Sequence, residues 1–468
     1  MKQWQGKQVV VVGLGISNVP LIRYLQAHGA AISGRDRKTA AELGERYELL
    51  RELDVDLRLG ADYLVDLDHY DAVFLTPGIP KHLPEIQALI GRVPLLSEVA
   101  LVLKQAKAPV FGITGSSGKT TTTTLVGEML KAANIECHVG GNIGTPLIER
   151  IEEIPADEPI VMELSSFQLE LLEQSPHLAL ITNISENHLD VHLTMDKYIH
   201  AKKQIYLHQT PQDVVVLNFD DPIVAAMAEE AVGSVYYFSL RTKVNPGIYV
   251  DEADMLVFQD QAGIVPLISK QDIGLIGEHN VQNIMAAALA AHLAGADWDA
   301  IRTVARNFKG VKHRLEPVAV INEVSYVNDS IATSPARTIA GIEAFTNPVI
   351  LIAGGYDKKL SYRGLAEAVV ESVKAVILMG QTADQIQREI LAVEPEYGQI
   401  YRAHDLNHAV DIASQLAGSG DTVLLSPACA SFDMYPNFEA RGDHFRRIVQ
   451  DLAAKMDEST KNGGMVSG

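Results

Sequence analysis

The segment Gly112-Ile113-Thr114-Gly115-Ser116-Ser117-Gly118-Lys119-Thr120 constrains this chain more than any other stretch. It follows the apolar run Pro109-Val110-Phe111. It opens a pattern from Thr121 to Ala133 in which Leu125, Val126, Met129, Leu130 and Ala133 share one helical face. A strand, a glycine loop and a helix start, in that order, make a cradle for phosphate. The glycines let backbone N–H groups approach the anion, and the helix start adds partial positive charge. Lys119 is placed to neutralise terminal phosphates and Thr120 to ligate Mg²⁺. The spacing departs from Gly-x-x-x-x-Gly-Lys-Thr, which requires glycine where Ile113 stands. An ordinary strand–helix turn is the competing reading, and it leaves a lysine after three glycines unexplained.

Length and charge narrow the class. The 468 residues suffice for about three domains. Asp plus Glu number 59 against 39 Lys plus Arg, a formal charge of −20, which argues against a nucleic-acid footprint. Small anionic ligands stay open, because a pocket can be locally positive. Cys137 and Cys429 are the two cysteines, too few for a disulfide framework or a cysteine metal cluster, and a reducing cytoplasm is the expected setting. The apolar run before Gly13 is too short for a signal peptide. The stretch Ile284 to Ala296 contains His292 and is too short to span a bilayer. No membrane or nucleic-acid partner is expected, and with no heptad pattern a monomer is the default expectation.

Three α/β units follow one another. In residues 1–97 a strand (Gln8 to Val12), the turn Gly13-Leu14-Gly15 and a helix (Val19 to Ala27) precede a strand near Ala30 to Ser33 that leads into Arg35-Asp36-Arg37. Ala72 to Leu75 then runs into Thr76-Pro77-Gly78. Asn18 stands where a dinucleotide fingerprint has its third glycine, which favours a mononucleotide or nucleotide-sugar diphosphate over NAD. Residues 98–310 carry the phosphate loop, strands Ile160 to Leu164, Leu178 to Thr182 and Val214 to Asn218, and an Ala-rich helix Asn280 to Ala294, with Gly310 as a hinge. In residues 311–468, Val349 to Ala353, Ala375 to Met379 and Thr422 to Leu425 each precede a glycine or serine loop. The tail from Asp457 reads as disordered.

Several side chains are candidates for chemistry, each with a bland alternative. Glu163 ends a strand beside the phosphate loop and suits a second Mg²⁺ contact, or else an acid at a helix start. His188 sits at a neighbouring strand edge and is either a cation ligand or a surface histidine. Lys202 reads on pattern alone as a solvated surface lysine. Arg314 suits a phosphate when domains close, or an interdomain ion pair. Asp329 ends a β-like run or belongs to a turn. Lys358, after Gly354-Gly355-Tyr356-Asp357, suits a substrate carboxylate or is an exposed loop lysine.

Taken together the segments GITGSSGKT (112–120), GGNIGTPL (140–147), MELSSFQLE (162–170), TNISENHLDVH (182–192), GEHNVQN (277–283), KHRLE (312–316), VNDSIATSPART (327–338), IAGGYDK (352–358) and SPACASFDMYPNFEARGDHF (426–445) resemble the Mur ligase family, as do GLGISN (13–18) and TPGIP (76–80). They run in order along essentially the whole chain. The resemblance implies a Rossmann-like N-terminal domain, a P-loop ATPase-like central domain and a Rossmann-like C-terminal domain. It also implies an ATP-dependent amide ligase of peptidoglycan precursor synthesis, within the branch that adds D-glutamate to UDP-N-acetylmuramoyl-L-alanine through an acyl phosphate and a tetrahedral intermediate. A ligase with another acceptor amino acid and a non-catalytic nucleotide-binding module are the alternatives.

Carried onto this sequence, the resemblance implies that Gly115, Ser116, Ser117, Gly118, Lys119, Thr120, Thr121, Asn280, Asn283, Arg314 and Asp329 serve ATP. Gly15, Ile16, Ser17, Asp36, Arg37, Thr76, Pro77, Gly78, Asn142, Ser165 and His188 would serve the uridine-nucleotide substrate. Thr333, Lys358, Ser431, Phe432 and Phe438 would serve D-glutamate. Two Mg²⁺ ions are implied, one at Thr120 and Glu163 and one at His188 and Lys202, the lysine being carbamylated. Lys119, Glu163, His188 and Lys202 form the implied catalytic set. A ligand divided among three units implies domain closure. Two departures stand out: Ile331 replaces a family lysine in Asp329-Ser330-Ile331-Ala332-Thr333-Ser334, removing one positive charge near the acceptor, and Ser117 replaces a usual asparagine.

Overall fold

A computed structural model describes residues 3–15, 18–143, 146–186, 189–275, 277–357 and 360–463. The chain forms two compact units, Met1–Phe308 and Lys309–Gly468. The first holds two sheets and the second holds one, among the described residues.

The first sheet is parallel throughout, in the order Asp56–Leu59, Ala31–Asp36, Gln8–Val12, Ala72–Leu75, Leu95–Leu96. Val9, Val10, Val11 and Val12 are all fully buried, the unbroken apolar run required of a strand covered on both faces. The order reverses between Gln8–Val12 and Ala72–Leu75, which opens a crevice at their C-terminal ends. Gly13 turns the chain there at φ +90°, and a Cβ on it would meet Thr76 Cγ2 at 2.1 Å. The turn is fastened by Asp36, whose Oδ2 accepts the Leu14 N–H at 2.7 Å.

The second sheet has nine strands, in the order Gly263–Ser269, Met255–Asp260, Gly247–Val250, Ser234–Ser239, Val214–Asn218, Leu178–Ile181, Val110–Thr114, Ile160–Glu163, His138–Gly141. Val110–Thr114 lies inside it, flanked in parallel by Leu178–Ile181 and Ile160–Glu163. The helix Lys119–Ala132 returns over it and buries Leu125, Val126, Met129 and Leu130 completely. The helix Glu278–Leu293 packs into the same core, its run Ala286–Ala291 offering small side chains for close approach. The antiparallel ribbon Met255–Asp260 with Gly263–Ser269 has no counterpart in the sequence reading. Its strands alternate weakly, and its turn is marked only by Gly263.

The third sheet runs Glu316–Ile321, Val324–Asn328, Thr422–Leu425, Val349–Ala353, Val373–Leu378, Ile400–Arg402. It is parallel except for the edge strand Glu316–Ile321. Separate apolar clusters fill its two faces. Asp329 follows the strand Val324–Asn328 directly, so the strand reading of that segment holds. The expected disorder from Asp457 does not hold over residues 457–463, through which the last helix, Phe438–Gly463, continues; residues 464–468 lie outside the described residues. No helix breaker occurs between Asp457 and Asn462.

Gly13→Ala is expected to destabilise the first unit by at least about 2 kcal/mol, combining left-handed backbone strain with the overlap on Thr76. The double variant Gly13→Ala/Thr76→Ser removes the overlapping methyl and should recover part of the loss in a thermal melt. An unchanged midpoint for the single variant would contradict this account of the turn.

Candidate active site

The phosphate loop is braced by the strand ends on either side of it. Gly115 carries φ +149°, and a Cβ there would sit 1.9 Å from Thr182 Oγ1. The Thr182 hydroxyl donates to Ser117 O at 2.6 Å, and Asn183 Oδ1 accepts the Ser117 N–H at 3.0 Å. Ser116 Oγ lies 2.9 Å from the Tyr198 hydroxyl and donates to Ser185 O at 3.0 Å. Gly118, at φ +80°, caps the helix, and a Cβ on it would meet Asn283 Oδ1 at 2.3 Å. Asn283 is buried and donates to Asn280 Oδ1 at 3.1 Å, which brings both asparagines to the loop. Thr120 and Thr121 occupy the first helical turn. The Lys119 ammonium folds back over its own loop, donating to Gly115 O at 2.8 Å and Ser116 O at 3.1 Å.

Glu163 is set beside this loop by strand register, with Ile113 paired to Glu163. It is 2% exposed. Its Oε1 accepts from Asn142 Nδ2 at 2.8 Å, whereas its buried Oε2 has no hydrogen-bond partner among the described residues. A buried carboxylate oxygen without a donor costs several kcal/mol on the usual scale unless a cation meets it. Asn142 is held by its own backbone as well, its N–H reaching Glu163 O at 2.8 Å.

Lys202 corrects the surface reading, because it is 1% exposed. It sits on the helix Met195–Lys203, one turn after Tyr198, and its Nζ lies 4.7 Å from that ring's centroid. The amine donates to Gly115 O at 2.8 Å and Thr114 Oγ1 at 3.4 Å. Among the described residues no carboxylate lies within ion-pair distance of it. Burial, with Lys119 nearby, pushes it well below the usual lysine range. That shift favours the uncharged amine, the form that adds CO₂, and a carbamate there would present oxygen to a cation. An orphaned Glu163 oxygen, the Thr120 hydroxyl and such a lysine therefore suit a hard divalent cation that also binds substrate phosphates.

In the first sheet Gly15, Thr76 and Pro77 line the crevice half-buried, and Arg37 and Gly78 are exposed. Asp36 is occupied with the Leu14 and Lys38 N–H groups, so its first task is to hold the turn. Ser165 is likewise engaged, capping the short helix Ser166–Leu169 reciprocally with Gln168. Lys81 links this region to the central sheet: its Nζ donates to Phe167 O at 3.2 Å and pairs with Glu170 at 3.4 Å. Glu170 also lies 3.2 Å from the buried His192, which stacks on Phe167. A cavity of about 560 Å³ opens here, with Lys81, His82, Phe167, His192 and His200 in its wall.

The second unit gathers its candidates at the C-terminal ends of its parallel strands. Asp329 is buried, accepting from Ser426 Oγ at 2.8 Å and Leu315 N at 3.2 Å, and burial pushes its carboxyl up to about 6. Arg314 belongs to the segment between Val311 and Leu315, its N–H reaching Val311 O at 3.2 Å. Thr333 is half-buried and Ser431 buried. Phe432 is 60% exposed and meets Tyr356 edge-on at 5.9 Å. Phe438 opens the last helix, its carbonyl accepting the Ser330 hydroxyl at 2.8 Å. Ile16, Ser17, His188 and Lys358 lie outside the described residues. Thr182, Asn183 and Tyr198 were missed in the sequence. The first two directly follow the strand Leu178–Ile181, and Tyr198 lies four residues before Lys202 on the same helix face, which is the signal that could have found them.

Comparison with known proteins agrees with this geometry along the whole chain. Family models match residues 7–93 (Mur ligase MurD-like, N-terminal domain), 113–291 (Mur ligase middle domain) and 313–429 (Mur ligase, glutamate ligase domain). A UDP-N-acetylmuramoylalanine--D-glutamate ligase of Symbiobacterium thermophilum is 50% identical over 452 residues, 96% of this chain and 98% of its own. One of Acetivibrio thermocellus is 44% identical over 459 residues, 97% and 98% of the two chains. The crystal structure of the UDP-N-acetylmuramate-alanine ligase MurC of Thermotoga maritima superposes with a TM-score of 0.52 at 18% identity, covering 95% of this chain and all of that one, and so shares the fold. With three domain models in order and relatives this similar over nearly their full length, the chain belongs to the Mur ligase family.

Proposed function

We propose that this chain is an ATP-dependent ligase that joins D-glutamate to UDP-N-acetylmuramoyl-L-alanine in peptidoglycan precursor synthesis. Relatives 50% and 44% identical that bear this activity in their names support it over nearly the whole chain. The observation that carries it chemically is the buried, unpartnered Oε2 of Glu163 beside a phosphate loop. The domains are taken as 1–97, 98–310 and 311–468. No described helix is long and apolar enough to cross a membrane, and we place the enzyme in the cytoplasm as a monomer.

In the reaction, the γ-phosphoryl group of ATP passes to the alanyl carboxylate and ADP leaves. The amine of D-glutamate then attacks the acyl phosphate, and the tetrahedral adduct expels phosphate to leave the amide. Two Mg²⁺ ions, when bound, offset the repulsion between triphosphate and carboxylate. Thr120 and Glu163 would hold one ion, and His188 with carbamylated Lys202 the other. Lys119 exchanges its loop carbonyls for the β- and γ-phosphates, with Gly115, Ser116, Ser117, Gly118 and Thr121 enclosing them. Asn280, Asn283, Arg314 and Asp329 serve the rest of ATP. Asn142, fixed on Glu163, orients the acyl group. Gly15, Ile16, Ser17, Asp36, Arg37, Thr76, Pro77, Gly78, Ser165 and His188 hold the uridine nucleotide. Thr333, Lys358, Ser431, Phe432 and Phe438 hold D-glutamate. Placement and fixed charge, rather than covalent chemistry by the protein, supply the acceleration.

Lys119→Ala is expected to cut kcat for phosphate release by at least about 100-fold, the usual scale for loss of one charge on a transferring phosphoryl group. Near-normal turnover would refute the assignment. Lys202→Ala should lose activity and regain part of it with acetate or formate, which restore an oxygen ligand in the vacated space. Full activity without any added carboxylate would exclude the carbamate.

A further inference from the structure

Arg441 is fully buried, and no ion-pair partner for it is found among the described residues. It lies in the first turn of the helix Phe438–Gly463, and none of the roles above uses it. Buried arginines normally face a carboxylate, because an unpaired buried charge is costly. Here the guanidinium donates to neutral oxygens instead. Nε reaches Ser330 Oγ at 3.0 Å, and Nη2 reaches Ser330 O at 2.9 Å and Cys429 O at 3.1 Å. Nη1 reaches Ala430 O at 3.3 Å.

Two loops meet on this one group, and a third joins them through Ala430. Ser330 belongs to the loop that leads to Thr333. Cys429 and Ala430 belong to the loop that leads to Ser431. Ala430 O also accepts the Tyr356 N–H at 2.9 Å, which adds the loop Gly354-Gly355-Tyr356. A Cβ on Gly355 would lie 2.4 Å from Ala430 O and 3.3 Å from Arg441 Nη1, so that loop approaches closely only as glycine. Ser330 Oγ, which accepts from Arg441, donates its own hydroxyl hydrogen bond to Phe438 O. Asp433, the carboxylate of the same segment, acts on that charge from beyond ion-pair distance, its Oδ2 accepting the Gln381 N–H at 3.1 Å.

We propose that Arg441 is the positioning residue of the acceptor pocket: it fastens the three acceptor loops together and leaves there a positive charge that the acceptor's carboxylates neutralise. The idea rests on the acceptor being an acidic amino acid, as proposed above. It accounts for a buried cation that has no ion-pair partner among the described residues, in a chain of net charge −20. It also places a positive charge behind the pocket although Ile331 replaces a family lysine at its edge.

The test uses the full-length protein. Wild-type phosphate release with D-glutamate is measured first, and its absence would fail the proposed function without bearing on Arg441. In that case the same variants are compared with whichever amino acid does support release. Arg441→Lys, Arg441→Met and Ser330→Ala are then compared for KM of acceptor and ATP and for thermal unfolding with and without acceptor. We expect Arg441→Lys to fold and to raise the acceptor KM about 10-fold or more, while the ATP KM changes less than about 2-fold. The rise in melting temperature that D-glutamate gives the wild type should vanish in the Arg441 variants. Ser330→Ala, which removes a single acceptor of the guanidinium, should raise the same KM by a smaller factor, and it decides the matter if both arginine variants fail to fold. Equal effects on both KM values, or folded variants with an unchanged acceptor KM, would overturn the proposal.

Discussion

The site in the first unit depends on one constraint: parallel strand register sets charged and polar groups around a phosphate loop, with Glu163, Thr182 and Lys202 buried among them. Pairing of Ile113 with Glu163 and of Thr114 with Ile181 leaves the loop hanging between two polar strand ends. On one side Glu163 and Asn142 brace each other; on the other Thr182 and Asn183 hold Ser117. From below, Lys202 supports Gly115 through its carbonyl. The loop is thus shaped before any ligand arrives, and its shape is kept by groups whose own polarity is incompletely satisfied.

That incompleteness is the chemical content of the fold. Among the described residues Glu163 Oε2 is buried without a donor and Lys202 is buried without a carboxylate, which is unfavourable for folding alone. Under the function proposed above, both deficits would be met by the same class of ligand, a divalent cation carrying phosphate oxygens, with the lysine as its carbamate. The second unit repeats the pattern in its own terms. There a buried guanidinium satisfies its N–H groups on oxygens of two loops and has no ion-pair partner among the described residues. Each unit thus buries a polar or charged group whose pairing is incomplete among the described residues.

How much of this was legible in the sequence follows from what each signal is. The strands Gln8–Val12, Ala72–Leu75, Val214–Asn218, Val349–Ala353 and Thr422–Leu425 are short valine, leucine or isoleucine runs that end at turn residues, and both ends could be read. The phosphate loop was legible because glycines at positive φ cannot be replaced cheaply. The antiparallel ribbon Met255–Ser269 was not, because its residues make no strong period of two. Lys202 was misread by pattern, since His200, Lys202 and Lys203 together look like a solvated face. Only the tertiary position of that helix turns Lys202 inward. Arg441 was invisible for the same reason: a single arginine in the sequence shows nothing of the two loops whose carbonyls it meets.

The most direct measurement is phosphate release by the full-length protein with ATP, Mg²⁺ and UDP-N-acetylmuramoyl-L-alanine, across acceptors that include D-glutamate, L-glutamate, L-alanine and a diamino acid. The account predicts release only when all three substrates are present, with D-glutamate favoured by at least about 100-fold in kcat/KM. Release that ignores the uridine substrate, or that L-alanine or a diamino acid supports as well as D-glutamate does, would contradict it.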